Sequence, residues 1–317
     1  MYSDTYQRYR KLILRGRFGE AARLAEEAYF AGDPKNGFWL TRQAAALNRG
    51  KKFSSARTAA EQALAIDPVN PYALLALADA IRGLGQFEDA ITCYREVAAS
   101  PKLVAIGQNG WLNCLAALSL WERIIDMLAR WEMPAAQRLR WQAKAEAALH
   151  RDDDALKTVQ AWLQAEPDKP EALWLLVDLE IRQNGIEAVV KRYGRLARIA
   201  SRPPVYKEIY ASLCRRAGRP DQALKAYERL DQGTATTAIQ RKQAFALAKS
   251  GRETDAIPMM EELLTDSPRD FYLHSGYQGA CRRSGQTDRA ITFYETLIQR
   301  HPGEKSLYGW LKKINKA

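Results

Sequence analysis

The chain has 317 residues, 47% of them hydrophobic and 27% charged, with a mean hydropathy of -0.41; this excludes a disordered chain, and no run approaches the ~18 apolar residues of a membrane span. Its net charge of +11 selects acidic partners, whether protein, nucleic acid or an anionic surface. The four cysteines, Cys93, Cys114, Cys214 and Cys281, form no CxxC pair and no Cys/His cluster, so they read as small buried hydrophobes.

The N-terminal stretch lacks the basic start and apolar run of a secretory signal, and the longest apolar stretch, Trp111 to Trp121, is interrupted by Asn113 and Ser119. A cytoplasmic location is the expectation. Going along the chain, one pattern returns: LILRGRFGEAARLAEEAY from Leu12, LNRGKKFSSARTAAEQAL from Leu47, IRGLGQFEDAITCYREVA from Ile81 and EAALHRDDDALKTVQAWL from Glu146. It continues with SLCRRAGRPDQALKAYERL from Ser212, LAKSGRETDAIPMMEELL from Leu247 and GACRRSGQTDRAITFYETL from Gly279. A small residue opens the second half of each unit at Ala21, Ala56, Ala90, Ala155, Ala223, Ala256 and Ala290, with Ile124 and Val189 filling the two gaps. Nine units result, spaced 31 to 35 residues, and Pro34, Pro68, Pro101, Pro167, Pro268 and Pro302 punctuate six of their ends.

Inside a unit, apolar residues recur at three and four, as in Leu74, Leu77, Ala78 and Ile81, then Ala90, Ile91, Tyr94 and Val97. That spacing is helical. Gly85, Gly218, Gly251 and Gly285 fall between the two apolar runs, where a first helix ends on a left-handed residue. Each unit is therefore predicted to be a helical hairpin, and because one hairpin cannot bury its own apolar face, neighbours must stack. No strand is predicted. The last stretch, residues 304–317, places Leu307, Trp310, Leu311 and Ile314 on one face and Lys305, Lys312, Lys313 and Lys316 elsewhere, the pattern of a helix that caps the final hairpin.

These units resemble the tetratricopeptide repeat, in which a small residue and an aromatic four positions later mark the second helix, as Ala90/Tyr94, Ala223/Tyr227 and Ala290/Tyr294 do here. The first helix departs from that repeat, with Ala44, Ala78, Ala143, Ala211 or Ala244 standing where the family has glycine. The resemblance implies an all-α solenoid, a right-handed superhelix of about nine repeats over residues 1–303, whose concave groove is lined by first helices. It also implies a protein-interaction scaffold. The fourth unit is irregular: Ile124 and Leu112 replace small residues, its register is shortened, and Trp111, Trp121, Trp131 and Trp141 crowd it, with Trp162 and Trp174 following. Either a hinge or recognition patch near 131–136, or aromatic filling of a core that lost its small residues, accounts for this.

Mapped onto the exposed face of the first helices, the predicted groove contains Tyr6, Arg10, Thr41, Tyr72, Asp79, Asn109, Asn113, Arg140, Lys144, Trp174, Asp178, Glu208, Ser212, Arg241, Phe245 and Tyr272, and it reads as basic with aromatic and amide residues between. One turn later come Arg82, Arg182, Arg215 and Arg282, which either reach a ligand or complement helix dipoles. Arg10, Arg140, Lys144 and Arg241 lie nearer mid-helix and are the better candidates. The groove would hold an acidic peptide or an acidic helical segment of a protein partner. The Lys/Asn pairing with which one subclass of these repeats grips a terminal carboxylate is absent. His150, His274 and His301 sit in separate units, and no phosphate loop or triad spacing occurs, so no enzyme, metal or cofactor is expected. The alternative function is a nucleic-acid-binding helical repeat resembling pentatricopeptide proteins. Against it, the column that would read bases holds Tyr6, Thr41, Leu75, Asn109, Arg140, Trp174, Glu208, Arg241 and Ser275, which is no code. Homo-oligomerisation is compatible with the same surface.

Overall fold

The computed structural model describes residues 2–32, 36–230 and 237–315, and over these the chain is helical without a strand. It divides into two compact units, Met1–Trp162 and Leu163–Ala317. The first holds α1 (Tyr2–Leu14), α2 (Phe18–Phe30), α3 (Phe38–Arg49), α4 (Phe53–Ile66), α5 (Pro71–Gly83), α6 (Phe87–Ala99), α7 (Val104–Ala117), α8 (Trp121–Arg130), α9 (Ala135–Ala148) and most of α10 (Asp152–Ala165). The second holds α11 (Pro170–Leu196), α12 (Pro204–Arg216), α13 (Pro220–Glu228), α14 (Thr237–Lys249), α15 (Glu253–Asp266), α16 (Phe271–Arg283), α17 (Thr287–Arg300) and α18 (Lys305–Asn315). Within each unit successive helices pair as hairpins, and the fold is an all-α helical-repeat solenoid. Pro34 and Lys316, singled out above, lie outside the described residues.

The nine residues that open the second helices are all buried, eight of them completely, with Val189 at 2%. One turn later, Ala25, Ala60, Tyr94, Leu128, Val159, Tyr193, Tyr227, Met260 and Tyr294 are buried as well. This pair of columns is the seam of every hairpin: a small or branched residue admits the first helix, and the larger side chain beside it fills the interior. The five first-helix alanines, Ala44, Ala78, Ala143, Ala211 and Ala244, are likewise fully buried, so alanine serves the close approach that the family gives to glycine.

A single turn geometry joins the helices of eight hairpins. Gly16, Lys51, Gly85, Ser119, His150, Gly218, Gly251 and Gly285 all have left-handed φ values between 57° and 81°. The next residue then donates its N–H back across the turn, as Arg17 to Leu12 O (2.9 Å), Leu120 to Leu115 O (2.9 Å) and Arg219 to Cys214 O (2.8 Å) do. Its own carbonyl accepts from the buried column residue, as Arg17 O does from the Ala21 N–H at 3.0 Å. One residue thus closes the first helix and opens the second. At Lys51, Ser119 and His150 the left-handed place is filled by residues with a Cβ.

Two hairpins are irregular, the fourth at its far end and the sixth at its turn. The spacing of 31 residues around the fourth unit is absorbed at the end of α8, which stops after 10 residues with Trp131 extended and leaves residues 131–134 non-helical. Arg138 compensates by donating to the carbonyls of Leu128 and Trp131. The Trp131 ring packs edge-on against Trp111 at 5.2 Å. Trp111, Trp121 and Trp131 are half-buried against a core of Leu112, Leu115, Ile124, Leu128 and Trp141. Helix α7 also sits unusually close to α6, because a Cβ at Gly107 would meet the Ala98 backbone at 2.5 Å and one at Gly110 would meet the Tyr94 ring at 2.2 Å.

The sixth hairpin has no turn of the common kind. α11 runs through it and kinks at Gly185, with φ 76° and ψ 158°, a region open only to glycine. Its two arms are tied by Arg192, which donates to the buried carboxylate of Glu180. Burial pushes the Glu180 carboxyl pKa upward, and the Arg192 charge opposes that shift.

At the C-terminal end, α18 buries Leu307, Trp310 and Ile314. Gln278 donates to Trp310 O (2.7 Å) and Arg282 to Lys313 O (3.1 Å). His274, 1% exposed, is stacked between Tyr294 (5.6 Å) and Trp310 (5.1 Å). Its ring nitrogens lie 3.1 Å from Tyr294 OH and 3.0 Å from Pro268 O. Burial lowers its pKa below the usual 6.5, with the Pro268 carbonyl and Asp270 opposing. Cys114, Cys214 and Cys281 are buried as expected, whereas Cys93 is only half-buried; all four are free thiols. Desolvation pushes Cys114 and Cys281 up to about 11.

Three outcomes are expected from this architecture. Ser119→Gly and Lys51→Gly each stabilise the protein, by about 0.5–1 kcal/mol, since relief of the left-handed penalty exceeds the added freedom of the unfolded chain; unchanged or lower melting temperatures would contradict the turn assignment. Gly185→Ala costs roughly 1–3 kcal/mol from backbone strain alone, because no atom lies within 4 Å of the added Cβ, and denaturant titration measures it. The neutral folded His274 binds fewer protons than the unfolded chain, so stability rises with pH through the unfolded value near 6.5 and is lost on acidification. Melting temperatures at pH 7 and 5.5 should therefore fall further in the wild type than in His274→Phe, and equal losses would remove His274 as the source.

Candidate functional site

The predicted groove residues lie on α1, α3, α5, α7 and α9 in the first unit and on α11, α12, α14 and α16 in the second. In the first unit, Arg10 is exposed and Tyr72 is 46% exposed. Tyr72 stands at the rim of a 380 Å³ cleft with Phe38, Arg42, Asp67 and Asn70. Asn70 caps α5 by accepting from the Tyr72 and Ala73 N–H groups. Arg42, one residue from the predicted Thr41, lies 4.9 Å from the Phe38 ring centroid and 5.5 Å from that of Tyr6.

Thr41 itself is buried, with its hydroxyl donating to Gly37 O (3.0 Å), and Ser212 is buried too; neither faces a groove. One residue of helix is about 100° of rotation, enough to turn a groove position into a packed one. Arg82 is exposed, yet its guanidinium is bound to Tyr94 OH (2.9 Å) and Asp79 (3.3 Å). The Tyr94 hydroxyl donates in turn to Asp79.

The densest constellation is on α7 and α9. The Trp141 indole N–H donates to Asn109 Oδ1 (3.1 Å), and Asn113 donates to Asn109 O (2.7 Å). Arg140 and Lys144, both half-buried, hold their charges 5.8 and 5.4 Å from the Trp141 ring centroid. Two cations one helical turn apart thus share one indole, whose position is fixed by an amide. Within about 6 Å, each such contact contributes about 0.5–1 kcal/mol at an accessible site.

In the second unit, Trp174 is half-buried and lies 5.6 Å from Lys242 Nζ. Lys242 also pairs with Glu208 at 2.5 Å. Arg241 is committed to Asp270 at 2.8 Å, the residue that caps α16 by accepting from the Leu273 N–H. Phe245 is half-buried against the core, and a Cβ at Gly276 would meet its ring at 2.4 Å, so the ring fills a notch in the next first helix. Arg182 is exposed, and Tyr272 is 72% exposed. Burial pushes the Tyr227 hydroxyl pKa up to about 12, against the opposing charge of Arg215. Arg282 is held by the α18 backbone. Part of the positive charge on this face is offset by acids: Asp79, Asp178, Glu208 and Asp270 neutralise Arg82, Arg216, Lys242 and Arg241.

Among the described residues no group of three or more His, Cys, Asp or Glu side chains is placed to hold a metal ion, and no helix is long and apolar enough to cross a membrane. Arg42 and Lys242 were missed in the sequence, although each adjoins a residue that was chosen.

Two family models described as the tetratricopeptide repeat match residues 42–104 and 277–303. No curated protein matches the chain. Among solved structures, a tetratricopeptide repeat protein from Parabacteroides merdae is 14% identical, with 88% of this chain and 98% of that one covered and a TM-score of 0.42. A thermophilic tetratricopeptide repeat protein of Thermus thermophilus is 17% identical over 57% of this chain and 100% of that one, at TM-score 0.38. The Cut9–Hcn1 hetero-tetramer is 13% identical over 98% and 55%, at TM-score 0.40. Both matched stretches fall on helical hairpins that share one seam and one turn with their neighbours, so the chain carries tetratricopeptide repeats.

Proposed function

We propose that this protein is a non-enzymatic, cytoplasmic interaction scaffold that takes an acidic peptide or acidic helical segment of a partner on the first-helix face of its repeats. Tetratricopeptide repeats serve protein–protein interaction, and the finer assignment rests on one observation: Arg140 and Lys144 flank Trp141 while Asn109 holds the indole. Long cationic side chains restrained in this way lose less entropy on binding a carboxylate. The Trp174–Lys242 contact on the second unit supplies a similar aromatic and cationic surface. Arg10, Tyr72, Arg182 and Tyr272 add exposed positions on the same helices. Arg82 and Arg241 contribute least, because a ligand would have to displace their carboxylate partners.

Binding of a panel of labelled Glu-rich peptides, followed by fluorescence anisotropy, tests this. Arg140→Glu with Lys144→Glu should weaken the best binder at least about tenfold, or ~1.4 kcal/mol, with the melting temperature preserved. Undiminished binding would place the site off this face. Tight binding of polyuridine with a steep loss of affinity in salt would instead mark the nucleic-acid reading.

A further inference from the structure

A second cationic surface lies within the second unit, on residues distinct from those of the Trp174 cluster. The α11 arm that follows Gly185, the side of α12 that carries Tyr210, and α13 enclose a narrow cleft of 150 Å³, which opens into a shallower trough of 590 Å³. The two cavities share Gly194, Arg198 and Tyr210. Gly194 makes the cleft possible, since a Cβ there would stand 3.0 Å from the Tyr210 ring. Tyr210, Ala197 and Ala226 give it apolar walls.

Its charge is one-sided. The cleft is lined by Arg198, Lys207, Lys225 and Arg229 and by no carboxylate. The trough adds Lys191 and Arg195. Its one carboxylate, Glu187, is paired with Arg219. Elsewhere, cations near the same hairpin seams find acids on the neighbouring repeat: Arg151 pairs with Glu122, Arg283 with Glu253 and Arg289 with Glu261. The six groove cations have no such partner among the described residues. Like charges gathered at this density repel one another, and folding does not require them; an anionic ligand relieves the repulsion.

We infer that this groove is a second docking face, for an acidic protein segment that inserts one apolar side chain between Tyr210 and Ala226 and sets carboxylates against the surrounding cations. The cleft's volume suits a single side chain. Its one aromatic ring, Tyr210, is half-buried and lies against Gly194, so it offers no open face for the successive base stacking that single-stranded nucleic acid requires. The apolar walls of Tyr210, Ala197 and Ala226 are what distinguish a peptide site from a merely basic surface.

The test uses the full chain and three labelled probes of equal charge: a Glu peptide with one central Phe, the same peptide with Gly for Phe, and a short polyuridine. Anisotropy should show the Phe peptide binding at least about fivefold more tightly than the Gly peptide. In an Arg140→Glu, Lys144→Glu background, from which the first-helix site has been removed, Lys191→Glu with Arg198→Glu and Lys225→Glu should weaken the Phe peptide at least about tenfold, which separates this face from the first-helix site. If the triple reversal perturbs folding, the milder Arg198→Gln with Lys225→Gln, checked by circular dichroism, should still weaken binding about threefold. Equal affinity for the Phe and Gly peptides, a preference for polyuridine or for anionic phosphatidylserine vesicles, or binding unchanged in both groove variants would each overturn the assignment. So would a self-associated dimer, seen in sedimentation, that the groove variants dissociate.

Discussion

Everything in this molecule depends on the seam inside each hairpin, where a small or branched residue at the start of the second helix is buried beside a larger one a turn later. Ala90 with Tyr94 and Ala290 with Tyr294 show the full form. Ala21 with Ala25 and Ala56 with Ala60 show the reduced one, in which neighbouring aromatics such as Tyr9 and Trp39 fill the first unit's core. A hairpin of about 34 residues cannot exclude water from both faces of its helices, so the seam is stable only when the next hairpin covers it. Stacking follows from that shortage of core, and it leaves the outward faces of first and second helices available for different work.

The two outward faces have been given different chemistry. On first helices, several charges are balanced by acids on the same or the next repeat, as with Arg216 and Asp178 or Lys242 and Glu208, and aromatic rings lie beneath cations. On the second arm of α11 and on α13, cations accumulate without acids around a cleft floored by Tyr210. Balanced charge gives orientation and specificity at little electrostatic cost, whereas unbalanced charge raises association rates and salt sensitivity. The net charge of +11 is therefore concentrated in part rather than spread as a uniform solubilising shell.

Much of this fold was legible in the sequence because helical periodicity and a recurring small residue are local signals. The nine column positions, the glycine turns and the apolar face of α18 all follow from them. The left-handed turns at Lys51, Ser119 and His150 were not legible, since a repeat can impose that conformation on residues whose own preference is against it. Gly107 and Gly110 gave no sign of the close approach of α7 to α6, because distance between helices is a property of the pair. The site was read less well. Helix spacing assigns a face only to within a residue or so, hence Thr41 for Arg42 and Arg241 for Lys242. Carboxylate partners some 30 residues away, such as Asp270 for Arg241, depend on how one repeat sits upon the next. The cationic cleft escaped because its cations come from three helices that no single stretch of sequence brings together.

The hairpin turn carries a further implication for how such a chain can change in length. At eight turns one residue is shared between two helices, donating to the first and accepting from the second, so there is no slack between them. An extra residue there would spin the second helix by about 100° and expel its seam alanine into water. The joints between hairpins hold no such shared residue, and the fourth accommodates three fewer residues by unwinding the end of α8. Insertions and deletions in this lineage should therefore accumulate between repeats and be purged within them.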